Sequence, residues 1–166
     1  MIVTDSTLQD QIGSLVGLHA WGGQLAADML TIQFGEERTV TRKNGPRSVG
    51  QMALHIQSPW RISKNGLVAV GQQDYFSADG KDEVHAVGDS LAKLLPGPSS
   101  ESVGTPTVRT VTIEPPAGIL MTLDEGLTIQ VFPCAGITAR NTEAWRLFEP
   151  DRDSRHIVVM SDGALE

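Results

Sequence analysis

Apolar residues change their spacing several times along this chain. Leu8, Ile12, Leu15 and Val16 fall at i, i+4, i+7 and i+8, one face of a helix. The spacing predicts a first helix over 7–16. Ser6 is placed to cap it, because its hydroxyl can accept from an otherwise unpaired backbone N–H. Gly17 is placed to stop it. Gly13, inside the pattern, weakens the helix by about 1 kcal/mol. From about Trp21 the period becomes two. Leu30, Ile32 and Phe34 alternate with Thr31 and Gln33, which predicts a half-buried strand. Residues 35–40 are a turn or a second short strand, and Asn44-Gly45-Pro46 is a turn. Met52, Leu54 and Ile56 alternate with Ala53, His55 and Gln57 until Pro59, which has no N–H to donate, breaks the ladder. A strand resumes at Trp60-Arg61-Ile62, turns at Lys64-Asn65-Gly66, where Asn-Gly tolerates positive φ, and returns over 67–70.

Val84, Val87, Leu91, Leu94 and Leu95 make an apolar stripe and predict a second helix over 82–95, ended by Pro96-Gly97-Pro98. Residues 98–106 are rich in Ser, Pro and Gly and are expected to form a loop. Strands follow at 108–113, 119–123 and 127–132, with a turn at Asp124-Glu125-Gly126. A last hairpin pairs 145–148 with 156–160 across 149–155. The pattern predicts an α+β fold: antiparallel β-meanders with two short helices packed against them.

The chain also echoes itself. Residues 1–80 and 81–166 each run helix, strands, a Trp-Arg strand and a return strand. Leu30-Thr31-Ile32-Gln33, Leu54-His55-Ile56-Gln57 and Leu127-Thr128-Ile129-Gln130 share one pattern. Internal duplication explains the echo; so does chance, since any amphipathic strand has this alternation.

Length and charge narrow the class. At 166 residues the chain is expected to be one domain. A chain of this size buries roughly 70% of its unfolded surface, so it needs no disulfide or metal staple. The net charge of −7 argues against a nucleic-acid partner, which needs a basic surface. Residues 1–80 carry six basic and seven acidic residues, whereas 81–166 carry seven and thirteen. The acidic half is either a solvated surface or a means of steering a basic protein partner. One basic run, Arg38, Arg42, Lys43 and Arg47, is expected to be a solvated turn. Cys134 is the single cysteine, which excludes an intramolecular disulfide and fits a cytoplasmic setting. Residues 1–10 lack the basic start and apolar core of a signal peptide. No segment approaches the ~20 apolar residues of a membrane helix.

The chemistry-bearing residues are dispersed. His19, His55, His85 and His156 include no close pair of the kind zinc sites use, so no metal and no cofactor is expected. Cys134, after Pro133, is expected to be a buried small hydrophobe. Gly13, Gly17, Gly22 and Gly23 lack the spacing and the Lys-Ser/Thr ending of a phosphate loop. No catalytic set emerges. If the three Leu-x-Ile-Gln strands share a sheet, Gln33, Gln57 and Gln130 line one face with Thr31, His55 and Thr128, either as plain solvent face or as a binding face. In Trp60-Arg61 and Trp145-Arg146 each Trp plugs the core while its Arg reaches outward, to solvent or to an acidic partner. Asp74, at a strand exit, completes the candidate set of Gln33, His55, Gln57, Gln130, Arg61, Arg146 and Asp74.

Leu30 to Gly35, Leu54 to Ile62, Leu127 to Pro133 and Trp145 to Phe148 together resemble a family of uncharacterised bacterial proteins, some of them similar to immunity proteins of toxin systems. The resemblance implies a bacterial cytosolic setting and a non-catalytic protein that binds a partner such as a toxin. It supplies no catalytic motif. Two other expectations stand beside it: a small-ligand-binding β protein using the Gln/His/Thr face, and a small enzyme in which Cys134 or a histidine meets a carboxylate.

Overall fold

Strict alternation and well-placed turn residues build most of this chain. The computed structural model describes residues 5–97, 104–134, 142–154 and 156–165. Helix α1 spans Asp5–Gly13, followed by strands β1 (Ala20–Ala26), β2 (Met29–Phe34), β3 (Arg38–Arg42), β4 (Gly45–Val49), β5 (Met52–Ile56), β6 (Trp60–Lys64) and β7 (Leu67–Gly71). Helices α2 (Gln72–Phe76) and α3 (Lys81–Leu94) come next. Strands β8 (Val108–Glu114), β9 (Gly118–Leu123), β10 (Leu127–Val131), β11 (Glu143–Phe148) and β12 (Ile157–Met160) complete the order. Every strand pair is antiparallel, and the fold is α+β.

The first helix begins before residue 7 and closes at Gly13, so that glycine ends the helix and does not interrupt it. The side chain of Ser6 and residues 98–103 of the expected loop lie outside the described residues. Asn65 and Gly66 take φ of 51° and 82°, the tight hairpin turn their sequence predicts. Between β3 and β4 the chain reverses at Lys43-Asn44, and Gly45 and Pro46 already belong to the ladder.

Two five-stranded sheets form, in the orders β1-β2-β5-β11-β12 and β7-β6-β10-β9-β8, and β3-β4 stands apart as a two-stranded hairpin. Inward residues of both sheets join one apolar cluster, including Leu30, Ile32 and Leu54 from the first and Ile62, Met121 and Ile129 from the second. The expectation that the three Leu-x-Ile-Gln strands share a sheet is corrected here. β2 and β5 are neighbours, but β10 lies in the second sheet. Local alternation sets which side of a strand is apolar; it does not choose the strand's partner.

The sheets exchange strands in a regular way. The first takes β1, β2 and β5 from the N-terminal half and the hairpin β11-β12 from the C-terminal half; the second takes β8, β9 and β10 and the hairpin β6-β7. Positions correspond closely. Gln57 N–H donates to Ala144 C=O at 2.9 Å, and the equivalent Phe132 N–H donates to Pro59 C=O at 2.8 Å. Ala20 N–H donates to Pro106 C=O at 2.8 Å, and Val108 N–H to Leu18 C=O at 2.9 Å. His19 and Thr107 meet in an isolated bridge where the halves cross.

One edge of each sheet, β1 and β8, is covered, which withholds its free backbone groups from other chains. Gln9 on α1 acts as a surrogate strand for β8: its amide donates to Val111 C=O and accepts from Ile113 N–H, both at 2.8 Å. β1 is covered by Leu95 and Pro96, just past α3, whose carbonyls accept from Gly23 and Gly22 at 3.1 Å.

Candidate functional site

Successive side chains of a strand point to opposite faces, so the register fixes what the outside of the first sheet carries. Gln24 pairs with Thr31, Thr31 with His55, and His55 with Arg146, which sets these four in one row. In the next row Gln33 and Phe148 flank Ala53.

The β3-β4 hairpin roofs this face. Its register pairs Arg38 with Val49, Val40 with Arg47 and Arg42 with Gly45, so the three arginines and two valines share one side. Arg38 Nη1 donates to Asp151 Oδ2 and Arg42 Nη2 to Pro150 C=O, each at 2.7 Å, fastening the hairpin to the segment between β11 and β12. At the hairpin's base the Gly50 N–H donates to Gln33 Oε1 at 2.8 Å. Only glycine fits there, since a Cβ would sit 2.5 Å from the Phe34 carbonyl oxygen. Arg42, Lys43 and Arg47 are exposed, as the composition led one to expect, while Arg38 and Arg42 are in addition fastened to the segment between β11 and β12.

Between roof and sheet lies a cleft of about 530 Å³, floored by Thr31, Gln33 and His55, roofed by Arg42 and Arg47, and walled by Phe148. A second hollow of about 730 Å³ lies beyond the Arg42–Pro150 contact, against His156 and Asp153. The roof explains the exposure of Thr31, a polar residue on an outer face that is only 5% accessible. Its equivalent on the other sheet, Leu120, is apolar and yet half-buried, because no hairpin covers that side.

A polar cluster borders the cleft. Arg146 grips Glu143 with both arms of its guanidinium, Nε to Oε1 at 2.7 Å and Nη2 to Oε2. Gln57 also bonds to Glu143. Arg146 Nη1 reaches His156 Nδ1 at 3.3 Å; arginine only donates, so this nitrogen accepts and the ring proton sits on Nε2. Phe148 stacks on His156 at 4.6 Å and meets His55 edge-on at 4.8 Å. Burial, and then the positive charge of Arg146, lower the His55 pKa below 6.5. The Arg146 hydrogen bond holds Glu143 below the usual carboxylate range, against an opposing push from burial. The floor thus presents a neutral imidazole at pH 7 beside a satisfied ion pair.

Of the sequence-predicted residues, the structure gathers Gln33, His55, Gln57 and Arg146 on the outer face of the first sheet. Arg61 and Gln130 lie on the opposite outer face, bonded to each other at 2.8 Å, with Arg61 over the Phe132 ring. Their separation from Gln33 and Gln57 follows from the placement of β10. Asp74 belongs to neither group: on α2 its carboxylate accepts from Gly71 N–H at 2.8 Å and caps the local turn. Both Trp residues fill the core, and their Arg neighbours point outward. Cys134 is exposed, where a buried position was expected, since it lies beyond the end of β10 and not within the strand.

Sequence reasoning missed Glu143, Phe148, His156, Arg42 and Arg47 as parts of one site. For the arginines the sequence showed a short alternating strand, Arg38-Thr39-Val40-Thr41-Arg42, but nothing that told which face it would meet. For His156 the predicted hairpin of 145–148 with 156–160 set it beside β11, but no signal existed for the pairing of β11 with β5 that brings it to His55. Among the described residues no group of three or more potential ligands is arranged for a metal ion, and no helix is long and apolar enough to cross a membrane. Compared with family models, curated proteins and solved structures, the chain matches none, so its resemblance to immunity-type proteins carries no family assignment.

Proposed function

We propose that this protein binds a small molecule in the cleft between the first sheet and the β3-β4 hairpin. The observation that carries the reading is the inequality of the two outer faces. The sheets are built alike, but one face is left open while the other is roofed by an inserted hairpin pinned at Arg38, Arg42 and Gly50. The architecture itself does not call for a hairpin there, since the connection between β9 and β10 at the equivalent place is only a short turn, Asp124–Gly126. The result is a cleft of ligand size with a mixed lining, in which polar groups at Thr31, Gln33, His55, Arg42 and Arg47 face apolar surface from Met29, Val49 and Phe148. The immunity-type reading draws on charge and resemblance, and the geometry of the site adds nothing to it.

Crystals soaked with a library of small organic fragments test the proposal. Fragments are expected in the cleft, touching Thr31, Gln33 or His55. Fragments scattered over the surface, or found only on the Arg61–Gln130 face, would overturn it.

A further inference from the structure

We infer that the ligand of this cleft is a small organic anion, a carboxylate or a phosphate monoester, held by Arg47 and Arg42; this rests on the small-molecule reading above. Charge carries the argument. The chain has twenty carboxylate side chains and a net charge of −7, yet none of them lines the cleft. Both charged groups that do are arginines, each on the inward side of the hairpin.

The arginines of that side are not equally committed. Arg38 is spent on Asp151. Arg42 gives one nitrogen to Pro150 C=O and keeps its remaining donors. Arg47 has no hydrogen bond or carboxylate partner among the described residues. A guanidinium offers five N–H donors in a planar fork that matches the paired oxygens of a carboxylate or phosphate. An unpaired one at the rim of a concave, partly apolar space, solvent-exposed as Arg47 is, can receive such a group. Opposite it, the floor supplies neutral hydrogen-bonding groups at Thr31, Gln33 and His55, which add orientation without competing charge. Met29, Val49 and Phe148 give the ligand's carbon part an apolar seat.

The test uses the full chain and isosteric probes: benzoate, its neutral counterpart benzamide, and phenyl phosphate, each followed by ¹⁵N–¹H spectra at constant ionic strength. Benzoate or phenyl phosphate should shift the Thr31, Gln33 and His55 amides saturably, and whichever binds tighter identifies the anion. Arg47→Gln, an exposed change with no partner to lose, should weaken the anion about tenfold and leave the melting temperature in place. If benzamide binds as well as benzoate and Arg47→Gln changes neither, the anionic class is wrong while the small-molecule reading survives. If none of the three probes shifts the cleft, both fail. If sodium chloride alone reproduces the shifts, the effect is charge screening and the anion site is overturned.

Discussion

Trp60 and Trp145 hold equivalent places in the two sheets and are both buried, but only Trp145 has a partner for its indole N–H, the Ala117 carbonyl at 2.8 Å. That bond ties β11 of the first sheet to the turn that opens β9 in the second. The Trp60 indole N–H is buried without a hydrogen-bond partner among the described residues. A buried donor without a partner costs free energy, whereas a satisfied one holds its acceptor as well. Replacing each tryptophan by phenylalanine removes the same atoms from both sites. Trp145→Phe should therefore be more destabilising than Trp60→Phe by about 1–3 kcal/mol in urea unfolding. Equal losses would show that the Ala117 bond contributes nothing.

The polar cluster beside the cleft makes stability depend on pH. His55 has a folded pKa below 6.5, so as pH falls past 6.5 the unfolded chain takes up a proton that the folded chain refuses. Stability falls from there until the folded pKa is passed. Glu143, also lowered, adds a second loss in more acidic solution, as pH drops below the usual carboxylate range towards its folded pKa. His55→Gln should flatten the first decline and diminish the second only slightly, since His55 is the smallest of the causes that lower Glu143. Arg146→Gln should weaken both, since Arg146 is the leading cause for Glu143 and the second cause for His55. Urea unfolding measured from pH 7.5 to 5 checks the first decline. An unchanged slope in His55→Gln would assign it to another group.

The hairpin is held by contacts whose removal should have unequal effects. Arg38→Ala breaks an ion pair at the surface and should cost less than about 1 kcal/mol. It should nevertheless speed hydrogen exchange of the β3 and β4 amides, because the hairpin loses one of its fastenings. Gly50→Ala places a methyl group against the Phe34 carbonyl and should cost about 1–3 kcal/mol by forcing the backbone apart. Exchange in the hairpin unaffected by Arg38→Ala would mean that the Asp151 contact does not hold the roof.

The elements of this fold were legible because local patterns determine them. Alternation placed β2, β5 and β8 to β12 within a few residues, and Asn65-Gly66 placed the β6-β7 turn. Partnerships were not legible, since they depend on long-range packing. The matched Leu-x-Ile-Gln strings illustrate this. The ladders set Leu54-His55-Ile56 of β5 equivalent to Ile129-Gln130-Val131 of β10, two residues on from the sequence match. An even shift keeps every side chain on its face, so the alternation predicted the apolar side correctly while the strand itself lay in the other sheet. At the site, Gln33, His55, Gln57 and Arg146 were found through their strand parity. The roof was not, because an arginine in a hairpin has the same sequence signature whether its face meets water or a neighbouring sheet.

Shortening the hairpin tests most directly whether the roof makes the site. Residues 38–49 would be replaced by a three-residue turn, the length of the Asp124–Gly126 link that joins β9 to β10, and ligand binding followed by ¹⁵N–¹H spectra. With the two sheets intact, as shown by unchanged shifts around Arg61 and Gln130, the account predicts that perturbation at Thr31, Gln33 and His55 disappears. Persistence of binding at those three residues without the hairpin would contradict it.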